Sequence, residues 1–172
     1  MNIGLLILRL VVGIPFIAHG GQKLFGWFGG PGIAGTAPFL DQMGFRPGRL
    51  HAYLVGLAEV GGGLLLAAGL LTPLSAALLI SVMSVALVSV HLRSGFFIQN
   101  NGYEYTLVLA GSALAAAFTG PGAISLDRLL GISWAGELWG VSALVLGLVS
   151  AAAALLARSI GSRTAASPAT DN

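Results

Sequence analysis

Three groups of polar residues stand out of an otherwise apolar chain. His19, Gln22 and Lys23 lie three and four residues apart, a spacing that puts them on one face of a helix. Glu59 stands alone inside an apolar run, and His91 is followed by Asn101, Tyr103 and Glu104. Imidazole, ammonium and carboxylate groups exchange protons, and imidazole, ammonium, amide and phenol groups donate hydrogen bonds to a ligand carbonyl. The candidate proton-handling residues are therefore His19, Lys23, Glu59, His91 and Glu104, with Gln22, Asn101 and Tyr103 as further contacts for a bound carbonyl compound. The chain has no cysteine, which excludes disulfides, thiol nucleophiles, thiolate zinc sites and cysteine-held iron–sulfur clusters. No metal-ligand set is assigned, and a haem held by His19 and His91 is disfavoured, since two histidines near membrane ends carry little weight.

The elements that must position these groups follow from composition. Of 172 residues, 56% are hydrophobic and 8% charged, against about 25% charged in an ordinary soluble domain. Such a chain cannot cover itself with polar surface, so its solvent is largely lipid. The net charge of +2 is a small imbalance and no sign of nucleic-acid binding. Five apolar runs reach spanning length: Ile3 to Ala18, running on to Trp27; Ala52 to Leu71; Leu74 to Leu92; Tyr103 to Phe118; and Leu138 to Ala157. Backbone groups in lipid must bond internally, and the alternation of a membrane barrel is absent, so the fold is all-α. The expected architecture is a four-helix transmembrane bundle over 1–131, an added transmembrane helix within 132–158 and a disordered polar tail at 159–172. The first run has no basic residue before it, is interrupted by Arg9 and lacks a small-x-small cleavage site, so it is read as a retained helix. Small-residue pairs such as Ala58/Gly62, Gly63/Ala67 and Gly147/Ala151 suit close helix packing.

Alternating spans sort the polar residues by side. If the N-terminus lies on side A, then the first and third connections and the tail lie on side B. Side B then holds Lys23, Arg46, Arg49, Arg93, Arg158 and Arg163, and side A only Arg128, which makes side B cytoplasmic and the N-terminus external. Most of the titratable groups gather on side B. The connection from Phe25 to Leu50 is glycine-rich yet apolar, with Thr36 placed to cap a short helix ending at Gly44 and with Phe39 and Met43 sharing a face. It reads as an interfacial or re-entrant segment roofing the polar cluster.

Structural explanations compete with chemical ones. Arg9 and Glu59, both within spans, are as well explained by pairing with each other as by a site. Glu104 follows Asn101 at capping-box spacing. Lys23 is long enough to snorkel to headgroups, and His51 at a span entrance suits the interface better than catalysis. Trp27, Trp134 and Trp139 suit an aromatic belt.

The strings themselves resemble a known family. His19-Gly20-Gly21-Gln22-Lys23-Leu24-Phe25-Gly26-Trp27-Phe28-Gly29-Gly30 is similar to the first signature of the DoxX family of small membrane proteins. Glu59-Val60-Gly61-Gly62 with Gly69-Leu70-Leu71-Thr72 resembles its second helix. Val90-His91-Leu92, Gly95-Phe96-Phe97 and Asn101-Gly102-Tyr103-Glu104-Tyr105 resemble its third signature. Gly120-Pro121-Gly122 and Ser125-Leu126-Asp127 resemble its closing motif. The resemblance covers roughly Ile3 to Leu130. It implies a four-helix membrane unit associated with membrane oxidoreductases, including the thiosulfate:quinone oxidoreductase subunits of archaea. The fifth span departs from that pattern. Three functions follow as expectations: a quinone-linked redox subunit served by an electron-delivering partner, a non-catalytic scaffold docking soluble redox enzymes on the cytoplasmic face, and a small-solute transporter. The expected location is the bacterial inner membrane.

Overall fold

The computed structural model describes residues 2–166, with side chains as far as Ser162. Helix α1 runs Asn2–Phe25, α2 Gly32–Gln42, α3 Gly48–Ala68, α4 Thr72–Ala86, α5 Glu104–Thr119, α6 Leu126–Leu129 and α7 Glu137–Ala166. A one-turn π segment at Leu87–His91 and a short 3-10 turn continue α4, so that the whole span reaches Ser94. Among the described residues there is no strand, as expected where every backbone group must be satisfied within its own segment. The protein is an all-α integral membrane protein. Four helical stretches, those of α1, α3, α4 and α7, are long and apolar enough to cross a bilayer. The remaining expected span, α5, is shorter, at 16 residues.

Two boundaries differ from expectation. Residues 159–166, expected to be disordered, continue α7, because nothing from Leu138 onward breaks the helix and Ala165 and Ala166 favour it. Residues 167–172 lie outside the described part. Thr36 does not cap the short helix in the first connection; α2 already begins at Gly32, and the Thr36 side chain is buried against α1, with a long contact of 3.4 Å to the Lys23 carbonyl. Phe39 and Met43 do share a face.

Helices α1 and α3 are held antiparallel by glycines seven residues apart on each. A Cβ at Gly13 would stand 2.7 Å from the Gly63 carbonyl oxygen, and one at Gly20 would stand 2.7 Å from the Gly56 carbonyl oxygen. Only glycine permits this approach, and repeating every seven residues keeps the seam on one face. The other small-residue pairs also pack: Gly62 faces Leu79 of α4, and Gly147 of α7 faces Ile80. The core between α1, α3, α4 and α5 is filled by Val12, Phe16, Leu66, Leu79, Met83 and Leu109, with alanines where α4, α5 and α7 come close.

At side A, α3 ends on Gly69, whose positive φ of 65° lets the Leu70 amide bond back to the Leu65 carbonyl at 2.9 Å. The following helix α4 has no capping side chain of its own. Its first amides are capped from a distance: the Asp127 carboxylate accepts from Leu71 N at 2.7 Å, Thr72 N at 3.2 Å and the Thr72 hydroxyl at 2.9 Å. Arg9 lies against Gly69 and donates to the carbonyls of Pro121 at 2.5 Å and Ile124 at 2.6 Å. Arg9 therefore does not pair with Glu59. It stitches α1 to the 120–127 turn.

Candidate functional site

The α1–α3 seam sets the register of the buried charges. With Gly13 opposite Gly63 and Gly20 opposite Gly56, Glu59 is level with Ile17, six residues nearer the α1 N-terminus than Lys23 is. Side chains on a helix lean toward its N-terminus. Lys23 therefore leans down α1 while Glu59 leans the opposite way on its antiparallel neighbour, and the two meet. The Lys23 ammonium contacts both Glu59 oxygens, at 2.7 and 2.5 Å. Glu59 is buried, whereas the Lys23 side chain keeps 29% of its surface accessible. The ammonium has three donors, so its proximity to one carboxylate does not exhaust what it can offer.

That accessible part of Lys23 faces a cavity of about 510 Å³ at side B, between α2, α3, the α4–π span and α7. Its walls are mostly apolar: Phe39, Met43 and Phe45 from the roof, Leu54, Val55 and Ala58 from α3, and Val82, Val85 and Ala86 from α4. The polar groups reaching it are Lys23, Thr36, His51 and the serines Ser81, Ser89 and Ser150. A largely apolar space with a few polar groups is the usual form of a small-molecule site. The roof is anchored at its far end, where the Asp41 carboxylate accepts from the Gly48 amide at 2.7 Å.

The other candidate residues sort differently. His19 is exposed on α1 one turn before Lys23, within electrostatic reach of Glu59. Gln22 is half-buried, with its backbone and Cβ packed against Gly30. His91, Asn101, Tyr103 and Glu104 do not line the cavity; they brace the loop before α5. The His91 ring Nδ1 is 2.8 Å from the Asn101 carbonyl oxygen, and Tyr103 meets Phe96 edge to face at 5.5 Å. The capping box expected of Asn101 and Glu104 is not formed. Asn101 adopts a left-handed conformation, φ 62°, and Glu104 is the first residue of α5, its carboxylate accepting from the Ile98 amide at 3.0 Å. The cluster expected at side B is thus two groups, one around the cavity and one within a loop.

The family model described as DoxX matches residues 4–92, which run from the start of α1 through the π segment. The chain belongs to the DoxX family. This DoxX protein is 33% identical to the Inner membrane protein YqjF of Escherichia coli over 133 residues, covering 77% of this chain and 96% of that protein. It is 32% identical over 126 residues to a Bacillus subtilis protein named "Putative oxidoreductase CatD", covering 73% of this chain and 86% of that one. It is 31% identical to the Inner membrane protein YphA of Escherichia coli, covering 72% and 88%. No solved structure matches the chain. Lys23, Thr36, His51, Ser81 and Ser89 of the DoxX cavity fall inside the matched segment, as does Glu59 behind Lys23, while Ser150 falls outside it.

Three of these residues were poorly legible in the sequence. His51 reads as interfacial, and the α2 roof is what makes it part of a cavity wall. Ser89 reads as an ordinary helical serine, and Ser150 lies in a span with no charge at all. The one available signal was the glycine pair on each helix, whose matching seven-residue spacing fixes the register and brings Glu59 to Lys23.

Proposed function

We propose that this protein is a quinone-binding subunit of a membrane oxidoreductase system. The observation carrying this reading is the Lys23–Glu59 pair at the edge of an otherwise apolar cavity. A quinone is a flat apolar ring with an apolar tail and carbonyl acceptors. The residues present suit it: Phe39, Leu54, Val55 and Val85 offer apolar walls, and the Lys23 ammonium is the charged donor among the polar groups that could meet a carbonyl oxygen. A bound quinone supplies two-electron, two-proton redox chemistry. Lys23 orients the carbonyl and holds a proton at Nζ. Glu59 keeps that ammonium in place and takes up or returns its proton, and His19 is placed to continue the route to the exterior of the bundle. His91, Asn101, Tyr103 and Glu104 hold the adjoining loop. With no cysteine in the chain for an iron–sulfur cluster, the reading assigns electron delivery to a partner protein. The name of the Bacillus subtilis relative supports a redox association.

The orientation belongs to the same proposal. Lys23, Arg46, Arg49, Arg93 and Arg158 lie at the cavity end, and by the positive-inside rule this supports a cavity and a partner on the cytoplasmic face. A reporter fused after Arg163 is then cytoplasmic; an external signal there overturns the orientation.

The central test uses protein purified in mild detergent. Its native quinones are extracted and identified, and the stripped protein is titrated with a decyl-quinone, read by tryptophan fluorescence. Lys23→Ala should weaken binding about tenfold, the scale of a lost hydrogen bond to a charged group. Equal affinity in the parent and the variant, or no binding in the parent, would sink the reading.

A further inference from the structure

The family match ends at residue 92, yet one wall of the cavity is built by α7. Ser150 and Ala154 line it, and Arg158 follows at the same four-residue spacing, on the same face of that helix. Arg158 donates from Nε to the Met43 carbonyl at 2.7 Å and from a terminal guanidinium nitrogen to the Ser89 hydroxyl at 3.1 Å, and its guanidinium lies 5.6 Å from the centre of the Phe45 ring. Met43, Phe45 and Ser89 are all cavity walls. They come from different elements: the end of the α2 roof, the turn after it, and the π segment that continues α4. One planar, always-charged group thus joins three walls from a fourth element.

The packing around it is close. Gly44, at φ 93°, lies against Arg158 and Ser162, and a Cβ at Gly161 would stand 2.7 Å from the Gly44 carbonyl oxygen. The end of α7 is therefore seated on the turn that closes the roof. The roof is also held to α3 by the Asp41–Gly48 bond and to α1 by the Thr36 contact with the Lys23 carbonyl, and Arg158 ties it to the opposite wall.

We propose that α7 is part of the ligand site, and that Arg158 is the positioning residue that holds the α2 roof closed against the π segment, setting the rate at which a ligand enters and leaves the cavity. Arg158 does not line the cavity and acts through Met43, Phe45 and Ser89. As to the identity of the ligand, the inference rests on the quinone reading; as to access, it stands on the contacts alone.

The absence of cysteine makes access measurable. Ser81→Cys places a single thiol on the cavity wall, and Leu129→Cys places one on the exposed surface at the other end of the bundle. Each is labelled with a small maleimide in the parent and in Arg158→Ala. Loss of two hydrogen bonds to a charged group should speed labelling of Ser81→Cys about tenfold and leave Leu129→Cys unchanged. Arg158→Lys keeps the charge but cannot fork to both acceptors, so it should rescue only part of the effect. Ser89→Ala removes one tie and should give about a threefold increase. An unchanged Ser81→Cys rate in Arg158→Ala overturns the proposal, and if that variant does not insert, an unchanged rate in Ser89→Ala does so. Equal acceleration at Leu129→Cys also overturns it, since it marks general loosening. A decyl-quinone should slow Ser81→Cys labelling in the parent. If it does not, while Arg158→Ala still accelerates labelling, the quinone reading falls and the role of Arg158 stands. If it protects, and Arg158→Ala changes nothing, the reverse holds.

Discussion

The bundle carries buried charge at both ends, and the two ends use it in opposite ways. At side A, Arg9 and Asp127 are almost wholly inaccessible, and they bond to backbone groups and the Thr72 hydroxyl. They form no ion pair, although each feels the other's charge. They satisfy carbonyls and amides that the turns at 69–72 and 121–124 would otherwise leave bare in an apolar medium. At side B, Lys23 and Glu59 contact each other, and the ammonium keeps an accessible edge beside a cavity. A buried charge directed at the backbone of its own fold is a structural part. A buried pair with a donor left over, facing a space large enough for a ligand, is equipped to bind.

Substitutions can break that contrast, and the largest effect should come from the structural end. Asp127→Ala leaves two amides and a hydroxyl without an acceptor and leaves the Arg9 charge uncompensated, costing about 3–5 kcal/mol. Denaturant unfolding in detergent should show the loss, while the fraction still folded binds a decyl-quinone as the parent does. Weakened binding at unchanged stability would mean that side A is a site after all. Gly20→Ala comes next. Its new Cβ would stand 2.6 Å from a Val60 methyl, and overpacking of this kind costs about 2 kcal/mol. Forcing α1 from α3 should also separate Lys23 from Glu59, so this change alone should lower both stability and affinity, measured on one preparation.

Glu59→Gln should be smaller in stability, about 1–2 kcal/mol, because the half-accessible Lys23 can turn toward the interface. Its effect on quinone affinity should be the more visible, about tenfold. A stability loss with no change in affinity would make the side-B pair equivalent to the side-A centre. Glu104→Gln should do least, within about 0.5 kcal/mol and without effect on binding, since a Gln oxygen can still accept from the Ile98 amide. Loss of affinity there would return the 91–104 loop to the site.

The same contrast explains what could be read from the chain itself. The spans were legible because apolar length is a property of contiguous residues. So was the apolar roof, from its glycines and from the spacing of Phe39 and Met43. Pairing was not legible by inspection of polar residues alone, because Arg9 and Lys23 were both within reach of Glu59 until the helix register was known. Direction of lean then decides between them: Arg9 points toward the α1 N-terminus and the 120–127 turn, and Lys23 points toward Glu59. His91, Asn101 and Glu104 drew attention by residue type, yet the loop geometry that occupies them depends on the left-handed Asn101 and on bonds across the loop. Arg158 counted in the sequence only as a basic residue near a membrane end. Its hydrogen bonds reach 115 residues to Met43 and 69 residues to Ser89, which no local pattern encodes.

The brevity of α5 has a consequence for the surrounding lipid. Sixteen helical residues rise about 24 Å, short of the roughly 30 Å hydrocarbon thickness that the neighbouring helices exceed. Just before its first turn stand Phe96, Phe97 and Ile98, all exposed. On that flank the apolar height is completed by side chains of a loop and not by helical turns, and the acyl chains beside it must shorten or splay to follow. Each ångström of such mismatch costs a fraction of a kcal/mol. The protein therefore meets the bilayer as a wedge, taller on one flank than on the other.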